Sequence, residues 1–119
     1  MKRLYGTEKQ VKFAGDIRNI VVYTLERYKE VYPETTLYVN RAIADISLLS
    51  DAGYIINQLK EVCYTRRFYE RMAIITEYMA YNSSPAYFKL IDNIDEETIK
   101  MLEYHSVDIE ILRQLRYIH

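Results

Sequence analysis

The stretch from Thr7 to Tyr32 constrains the fold of this chain more than any other, because its pattern is that of one long amphipathic helix. The Thr7 side chain can accept from the free amides of the first turn, and Gln10 stands three residues on, where it completes a capping box. Pro33 ends the helix, since it keeps the residue before it out of the helical region. At about 1.5 Å per residue the helix runs roughly 37 Å, longer than a compact domain of this size is wide.

Apolar or half-apolar residues recur along this helix at intervals of three and four, which places them on one side of it. They are Val11, Ala14, Ile17, Val21, Leu25, Tyr28 and Tyr32. Phe13, Ile20 and Tyr23 widen this stripe, so the helix is expected to touch more than one neighbour. We predict that it is the central strut of the fold and, because it exceeds what one small core covers, a contact for self-association.

The scarcity of chain-breaking residues favours an all-α fold. The 119 residues contain three Gly and two Pro, and helix-forming residues dominate between them. That length is typical of one domain. We predict a single helical domain over residues 1–119, a bundle of five or six helices with a long N-terminal helix and two short C-terminal helices.

Two segments in the middle of the chain leave alternatives open. Residues 37–49 are predicted to form a second helix capped by Thr35 or Thr36, although the alternation at 36–40 also suits a short strand. Asp51 is a good N-cap for the next apolar stripe. That stripe, over residues 54–82, is either one long helix or two helices with a break near Thr65.

The C-terminal third is predicted to be a series of short elements. Residues 82–85 form the clearest loop, and residues 86–91 can form a short helix. Asp95 is placed to cap a helix whose first turn carries Glu96 and Glu97, where the helix dipole favours anions. Ser106 or Asp108 caps a last helix.

The residue types needed for catalysis or metal binding are sparse. Cys63 lies on an apolar stripe, which favours a buried, inert thiol, although the nearby Arg66 and Arg67 leave a reactive thiol as the alternative. His105 and His119 stand in no metal-ligand spacing, and no phosphate-cradling glycine motif occurs. We therefore expect a non-enzymatic protein without metal or cofactor.

The single cysteine, the lack of a secretion signal and the lack of a long apolar run fit a cytoplasmic protein that does not enter a membrane.

The stretch from Tyr64 to Arg71 carries the most distinctive surface chemistry. Its spacing, if helical, puts Arg67 and Arg71 on one face and Arg66 beside Glu70. Tyr and Arg are enriched at protein–protein hot spots, so Tyr64, Arg66, Arg67 and Arg71 are the predicted partner-binding residues. The same chemistry grips nucleic acid, and the alternative site there comprises Lys9, Lys12, Arg66, Arg67 and Arg71. The net charge of −1 favours the protein partner.

The first helix also resembles a known group. The segment TEKQVKFAGDIR, residues 7–18, is similar to a SEKQ-apolar-x-W-A-E-x-I-R pattern found in uncharacterised small proteins of bacteriophages and mobile elements. Phe13 stands where that group has Trp, and Gly15 where it has an acidic residue. Residues 37–41 resemble a second piece of the group, so the likeness covers about a third of the chain.

The resemblance implies a phage or mobile-element origin and brings no activity with it. We expect a small accessory protein that binds another macromolecule, for instance an anti-defence (anti-CRISPR-like) inhibitor of a host machine.

Overall fold

A computed structural model describes residues 1–82 and 90–110 of the chain. Five α-helices lie in this part: α1 (Glu8–Val31), α2 (Thr36–Ser47), α3 (Ala52–Leu59), α4 (Phe68–Tyr81) and α5 (Glu96–Tyr104). Short 3-10 helices cover Pro33–Thr35, Lys60–Cys63 and Ile91–Asn93. The prediction of a compact all-α fold with a long N-terminal helix is confirmed.

The α1 helix begins as its sequence predicts and lies at the centre of the fold. The Thr7 hydroxyl accepts from the Gln10 amide at 3.2 Å, and the Gln10 side chain accepts from the Thr7 amide at 3.0 Å. The helix packs against α2, α3 and α4, and five of its stripe residues are fully buried: Ala14, Ile17, Val21, Leu25 and Tyr28. The longest dimension of the molecule is 39 Å, so this helix of about 36 Å spans nearly all of it.

Tyr23 does not widen the stripe of α1, contrary to the prediction. Its side chain is 62% exposed, whereas Phe13 and Ile20 are half-buried. Each residue advances the helix by about 100°, so a position midway between Val21 and Leu25 falls roughly opposite the face they share.

Residues 36–40 are helical, which decides against the strand alternative. Val39, Ala42 and Ile46 of α2 are buried, as predicted. The helix ends at Ser47, and the half-buried Leu49 belongs to the connection that follows.

Thr35 occupies the cap position of α2, as predicted, but neither Thr35 nor Thr36 caps the helix through its side chain. The Thr35 hydroxyl donates to the Tyr32 carbonyl at 2.7 Å, and the Thr36 hydroxyl donates to the Pro33 carbonyl at 2.6 Å. The chain enters α2 directly from the 3-10 turn at Pro33–Thr35, and the Pro33 carbonyl accepts from the Thr36 amide, the first of the helix.

Residues 54–82 form two helices, not one. Asp51 caps α3 by accepting from the Tyr54 amide at 3.2 Å, as predicted. The α3 helix continues as the 3-10 helix Lys60–Cys63, and residues 64–67 connect it to α4. Thr65 lies within this connection, and Arg67 occupies the cap position without a side-chain hydrogen bond.

Asp95 caps α5 and also contacts the C-terminal part of α1. Its carboxylate accepts from the Thr98 amide at 2.9 Å and from the Tyr28 hydroxyl at 2.8 Å. The Tyr28 hydroxyl in turn accepts from the Asp95 amide at 3.1 Å. Because the Tyr28 ring is fully buried, this exchange fixes the start of α5 against the core.

Two predicted C-terminal elements lie mostly outside the described residues. Of the helix expected at 86–91, only Leu90 and Ile91 are described, and both are buried. Of the last helix, Ile109 and Glu110 are described and helical, and Asp108 accepts from the Glu110 amide at 2.9 Å.

The substitution Gly6→Ala is expected to lower the free energy of unfolding by about 1–2 kcal/mol. Gly6 has a φ of +149°, and a Cβ there would lie 3.0 Å from the Ala52 Cβ and 2.9 Å from the Gln10 Oε1 that closes the capping box. Urea denaturation measures the change. Gly15→Ala is the matched control, because the nearest described atom to its Cβ would be Leu4 Cδ1, at 3.8 Å, an ordinary van der Waals contact. An equal loss in both variants would contradict the prediction.

Candidate functional site

Three predicted partner-binding residues form an exposed surface on the connection before α4. Tyr64 is 67% exposed, the Arg67 side chain is 71% exposed, and Arg66 is also exposed. We call Tyr64, Arg66 and Arg67 the Tyr–Arg surface. These residues are not on a helical face as predicted, because α4 begins only at Phe68.

Arg71 has an internal role that its assignment to the binding surface did not include, and its part in partner binding stays a prediction. Its Nε donates to the Val62 carbonyl at 3.0 Å and to the Thr65 carbonyl at 2.9 Å. The guanidinium thereby satisfies two backbone groups that the break between the helices leaves without helical partners. Arg71 holds the connection in place, and with it the Tyr–Arg surface.

Glu70 joins this connection to α5. Its carboxylate accepts from the Thr65 hydroxyl at 3.0 Å and lies 3.3 Å from Nε2 of His105. Helical spacing would put Arg66 beside Glu70, but the structure places Arg67 there, with 4.0 Å between its Nη1 and the Glu70 carboxylate. The role of His105 was missed from the sequence, where its position at a helix end gave no sign of this contact.

A groove runs beside the Tyr–Arg surface between α4 and its neighbours. One part, of about 210 Å³, is bounded by Tyr64, Glu70 and His105. A second part, of about 260 Å³, shares Glu61, Ile74 and Glu77 with the first. We call the two parts the acidic groove, after the three glutamates that line it: Glu61, Glu70 and Glu77.

Lys9 and Lys12, the remaining residues of the nucleic-acid alternative, lie on α1. Both are exposed, and Lys12 lines a different cavity, between the N-terminal segment and α1. With Arg71 bound internally, the five residues of that alternative do not share one cavity or groove.

The cavity that Lys12 lines, which we call the N-terminal cavity, has a volume of about 940 Å³. Residues 3–6 form one wall, and one face of α1 between Glu8 and Asn19 forms the other. Arg18 lines it and is only 8% exposed. Burial lowers the pKa of Arg18 from its ordinary value.

The burial of Arg18 was also missed from the sequence, although a signal exists. Arg18 stands four residues after Ala14 and three before Val21, which is the spacing of the buried stripe. A charged residue in that register needs internal partners. Arg18 has two of them, since its Nη1 donates to the Lys2 carbonyl at 2.7 Å and to the Leu49 carbonyl at 2.8 Å.

Cys63 is expected to react with iodoacetamide several-fold more slowly in the folded protein than in the unfolded chain. Burial raises the pKa of the Cys63 thiol, an effect that the charge of Arg71 opposes and that of Asp16 adds to. The thiolate is the reactive form, so a raised pKa slows alkylation. Mass spectrometry of timed samples with and without urea measures the two rates, and equal rates would contradict the prediction.

The described side chains include no group of three or more His, Cys, Asp or Glu residues that could hold a metal ion. His119 lies outside the described residues. Within residues 1–82 and 90–110, no helix combines the length and apolarity needed to cross a membrane.

Comparison with known proteins gives this chain no relative from which a function could be transferred. No protein family, curated protein or solved structure matches it.

Proposed function

We propose that this protein is a small non-enzymatic accessory protein that acts by binding another protein through the Tyr–Arg surface and the acidic groove. The observation that carries the proposal is Tyr64, whose large ring is 67% exposed beside a groove. Tyr and Arg side chains dominate the energetics of many protein interfaces because each offers a large contact area together with hydrogen-bonding groups.

The connection that bears this surface is held by internal contacts. Arg71 binds its carbonyls, and Thr65 accepts from the Arg67 amide at 3.2 Å while donating to Glu70. A backbone that is fixed before binding loses less conformational freedom when a partner docks. This favours a recognition role for Tyr64, Arg66 and Arg67.

The charges around the surface favour a protein partner over nucleic acid. Arg67 lies within 4.0 Å of the Glu70 carboxylate, and Glu61 and Glu77 line the same groove. Three carboxylates would repel a phosphate backbone that followed the groove. A protein surface of mixed charge, by contrast, can complement both signs.

The biological setting of the proposal rests on the resemblance of residues 7–18 and 37–41 to phage and mobile-element proteins. In that setting, the proposed partner is a component of a host machine in the cytoplasm of the infected cell. Binding would block that component, as an anti-defence inhibitor does. Self-association through α1 stays a prediction, supported by the exposed Tyr23 and Val31.

The double variant Tyr64→Ala/Arg67→Ala is expected to weaken partner binding by about 2 kcal/mol or more, about thirtyfold in Kd. The partner is first captured from host lysate with the unaltered protein, and Kd is then measured with purified components. Tyr23→Ala/Arg41→Ala is the matched control, since both residues are exposed elsewhere, and its affinity should be unchanged.

The same preparation is titrated with unspecific DNA and RNA at increasing salt. We expect no tight association at low salt. Tight binding to nucleic acid that falls steeply with salt would overturn the protein-partner proposal in favour of nucleic acid. The proposal would also be overturned if the double variant bound the protein partner as tightly as the control variant does.

A further inference from the structure

The side of α1 that faces away from the core carries a stripe of exposed side chains. At about 100° per residue, six positions between Lys12 and Glu30 fall within an arc of about 80° on that side. All six are exposed, and one of them, Tyr23, is a large ring that is 62% exposed. We call these residues the outer stripe: Lys12, Asp16, Asn19, Tyr23, Arg27 and Glu30.

The outer stripe offers two cations and two anions to a partner. None of the four forms an ion pair with another residue of the described ranges, 1–82 and 90–110. Arg27 lies over the Phe68 ring, whose centre is 5.4 Å from the guanidinium carbon, and stays exposed there. These charges are therefore accessible to a second molecule.

The order of the four charges along α1 is self-complementary. Lys12 and Glu30 stand nine residues on either side of Val21, and Asp16 and Arg27 stand five and six residues from it. A two-fold axis at the level of Val21 would relate two antiparallel copies of the helix. Lys12 of each copy would then meet Glu30 of the other. Asp16 would meet Arg27 in the same way.

The positions of these residues around the helix agree with that pairing. In a two-fold antiparallel pair, residues at one edge of a stripe meet residues at the same edge of the other stripe. Asp16 and Arg27 lie about 20° apart at one edge, and Lys12 and Glu30 coincide, because 18 residues make about five turns. Glu26, an acid that would repel Asp16, lies about 80° away from it. A parallel pair in register would place each charge against its own copy, which is unfavourable.

We propose that two copies of this chain associate through their outer stripes, antiparallel and related by a two-fold axis at the level of Val21. Tyr23 of each copy lies close to this axis, beside Asn19 of the other copy, and supplies the apolar contact at the centre. The contact is one helix wide and largely polar, so it belongs to the small, weak class of interfaces. This arrangement rests on the self-association proposed above for α1, whereas no residue of the Tyr–Arg surface belongs to the outer stripe.

Sedimentation equilibrium measures the association directly. We expect the average mass to rise from that of a monomer towards that of a dimer between about 10 μM and about 1 mM protein, the range in which a small interface associates. Added sodium chloride should lower the mass, because salt screens exposed charges. The mass of a monomer at every concentration overturns the proposal.

Charge reversal tests the pairing. Lys12→Glu and Glu30→Lys each bring like charges together at two symmetry-related contacts, so each variant alone should dimerise at least about tenfold more weakly. Mixed in equal amounts, the two variants should form a heterodimer, because every cation again faces an anion. Arg41→Glu is the matched control, since it reverses an exposed cation of α2 and should dimerise as the unaltered protein does.

The double variant Lys12→Glu/Glu30→Lys restores both contacts within one chain and should also dimerise as the unaltered protein does. Undiminished dimerisation of either single variant, or a mixture that forms no heterodimer, contradicts the proposed arrangement. Circular dichroism checks that each variant is folded. Tyr64 and Arg67 are unchanged in all of them, so the Kd for the captured protein partner tests the Tyr–Arg surface separately.

Discussion

Replacing Asp95 by alanine is expected to lower the free energy of unfolding by about 2–4 kcal/mol. The carboxylate caps α5 through the Thr98 amide, and the loss of such a cap costs about 0.5–2 kcal/mol. The same substitution removes the acceptor of the Tyr28 hydroxyl, which is buried between α1 and α5. Leaving a buried hydroxyl without its acceptor costs about 1–3 kcal/mol more. Urea denaturation followed by circular dichroism measures the sum.

A double-mutant cycle separates the cap from the buried contact. Tyr28→Phe removes the hydroxyl and keeps the ring, so in that background Asp95→Ala should cost only the capping energy. We expect a coupling energy of about 1–2 kcal/mol between the two positions. Glu96→Ala is the control for charge near the helix start, since Glu96 is exposed in the same first turn. Additive effects of Tyr28→Phe and Asp95→Ala would show that the contact stabilises nothing.

The parts of the fold that could be predicted are those decided by residues close in the chain. The capping box of Thr7 and Gln10 and the caps at Asp51 and Asp95 each involve a bond across three residues, so the local sequence contains the whole interaction. The stripe of α1 was predictable for the same reason, since its period is that of the helix.

The interactions that escaped prediction join segments distant in sequence. Arg18 meets the carbonyls of Lys2 and Leu49, which the chain brings together only after α1 and α2 have packed. Tyr28 meets Asp95 in the same way. No periodicity in the sequence encodes such pairs.

In the candidate site, too, some features could be predicted from the local sequence and others could not. Exposure of Tyr64, Arg66 and Arg67 follows from the polar character of a connection between two apolar stripes. The internal role of Arg71 does not, because its acceptors are carbonyls whose positions depend on where α3 ends and α4 begins. The acidic groove could not be predicted from the sequence, because its glutamates come from two elements, α4 and the 3-10 helix before it.

Alkaline pH is expected to destabilise this protein by about 2–3 kcal/mol between pH 9 and pH 11. Burial is the main reason that the pKa values of Tyr28, Tyr32 and Tyr78 are raised above the ordinary tyrosine value near 10. Above pH 10 the unfolded chain releases protons that the folded protein retains, so stability falls as pH rises. The loss approaches about 1.4 kcal/mol per pH unit for the fully buried Tyr28 and is smaller for the half-buried Tyr32 and Tyr78.

The stability curve and the tyrosine titration give independent checks of this expectation. Urea denaturation at pH 9, 10 and 11 should show the loss, and Tyr28→Phe should flatten it, since that variant has no phenol to ionise in the core. Tyr23→Phe, which alters an exposed ring, should leave the slope unchanged. Phenolate absorbance should rise in two steps, the later one together with the loss of helical signal. Ionisation of all thirteen tyrosines in one step near pH 10, with the helices intact, would mean that these phenols are not protected by the fold.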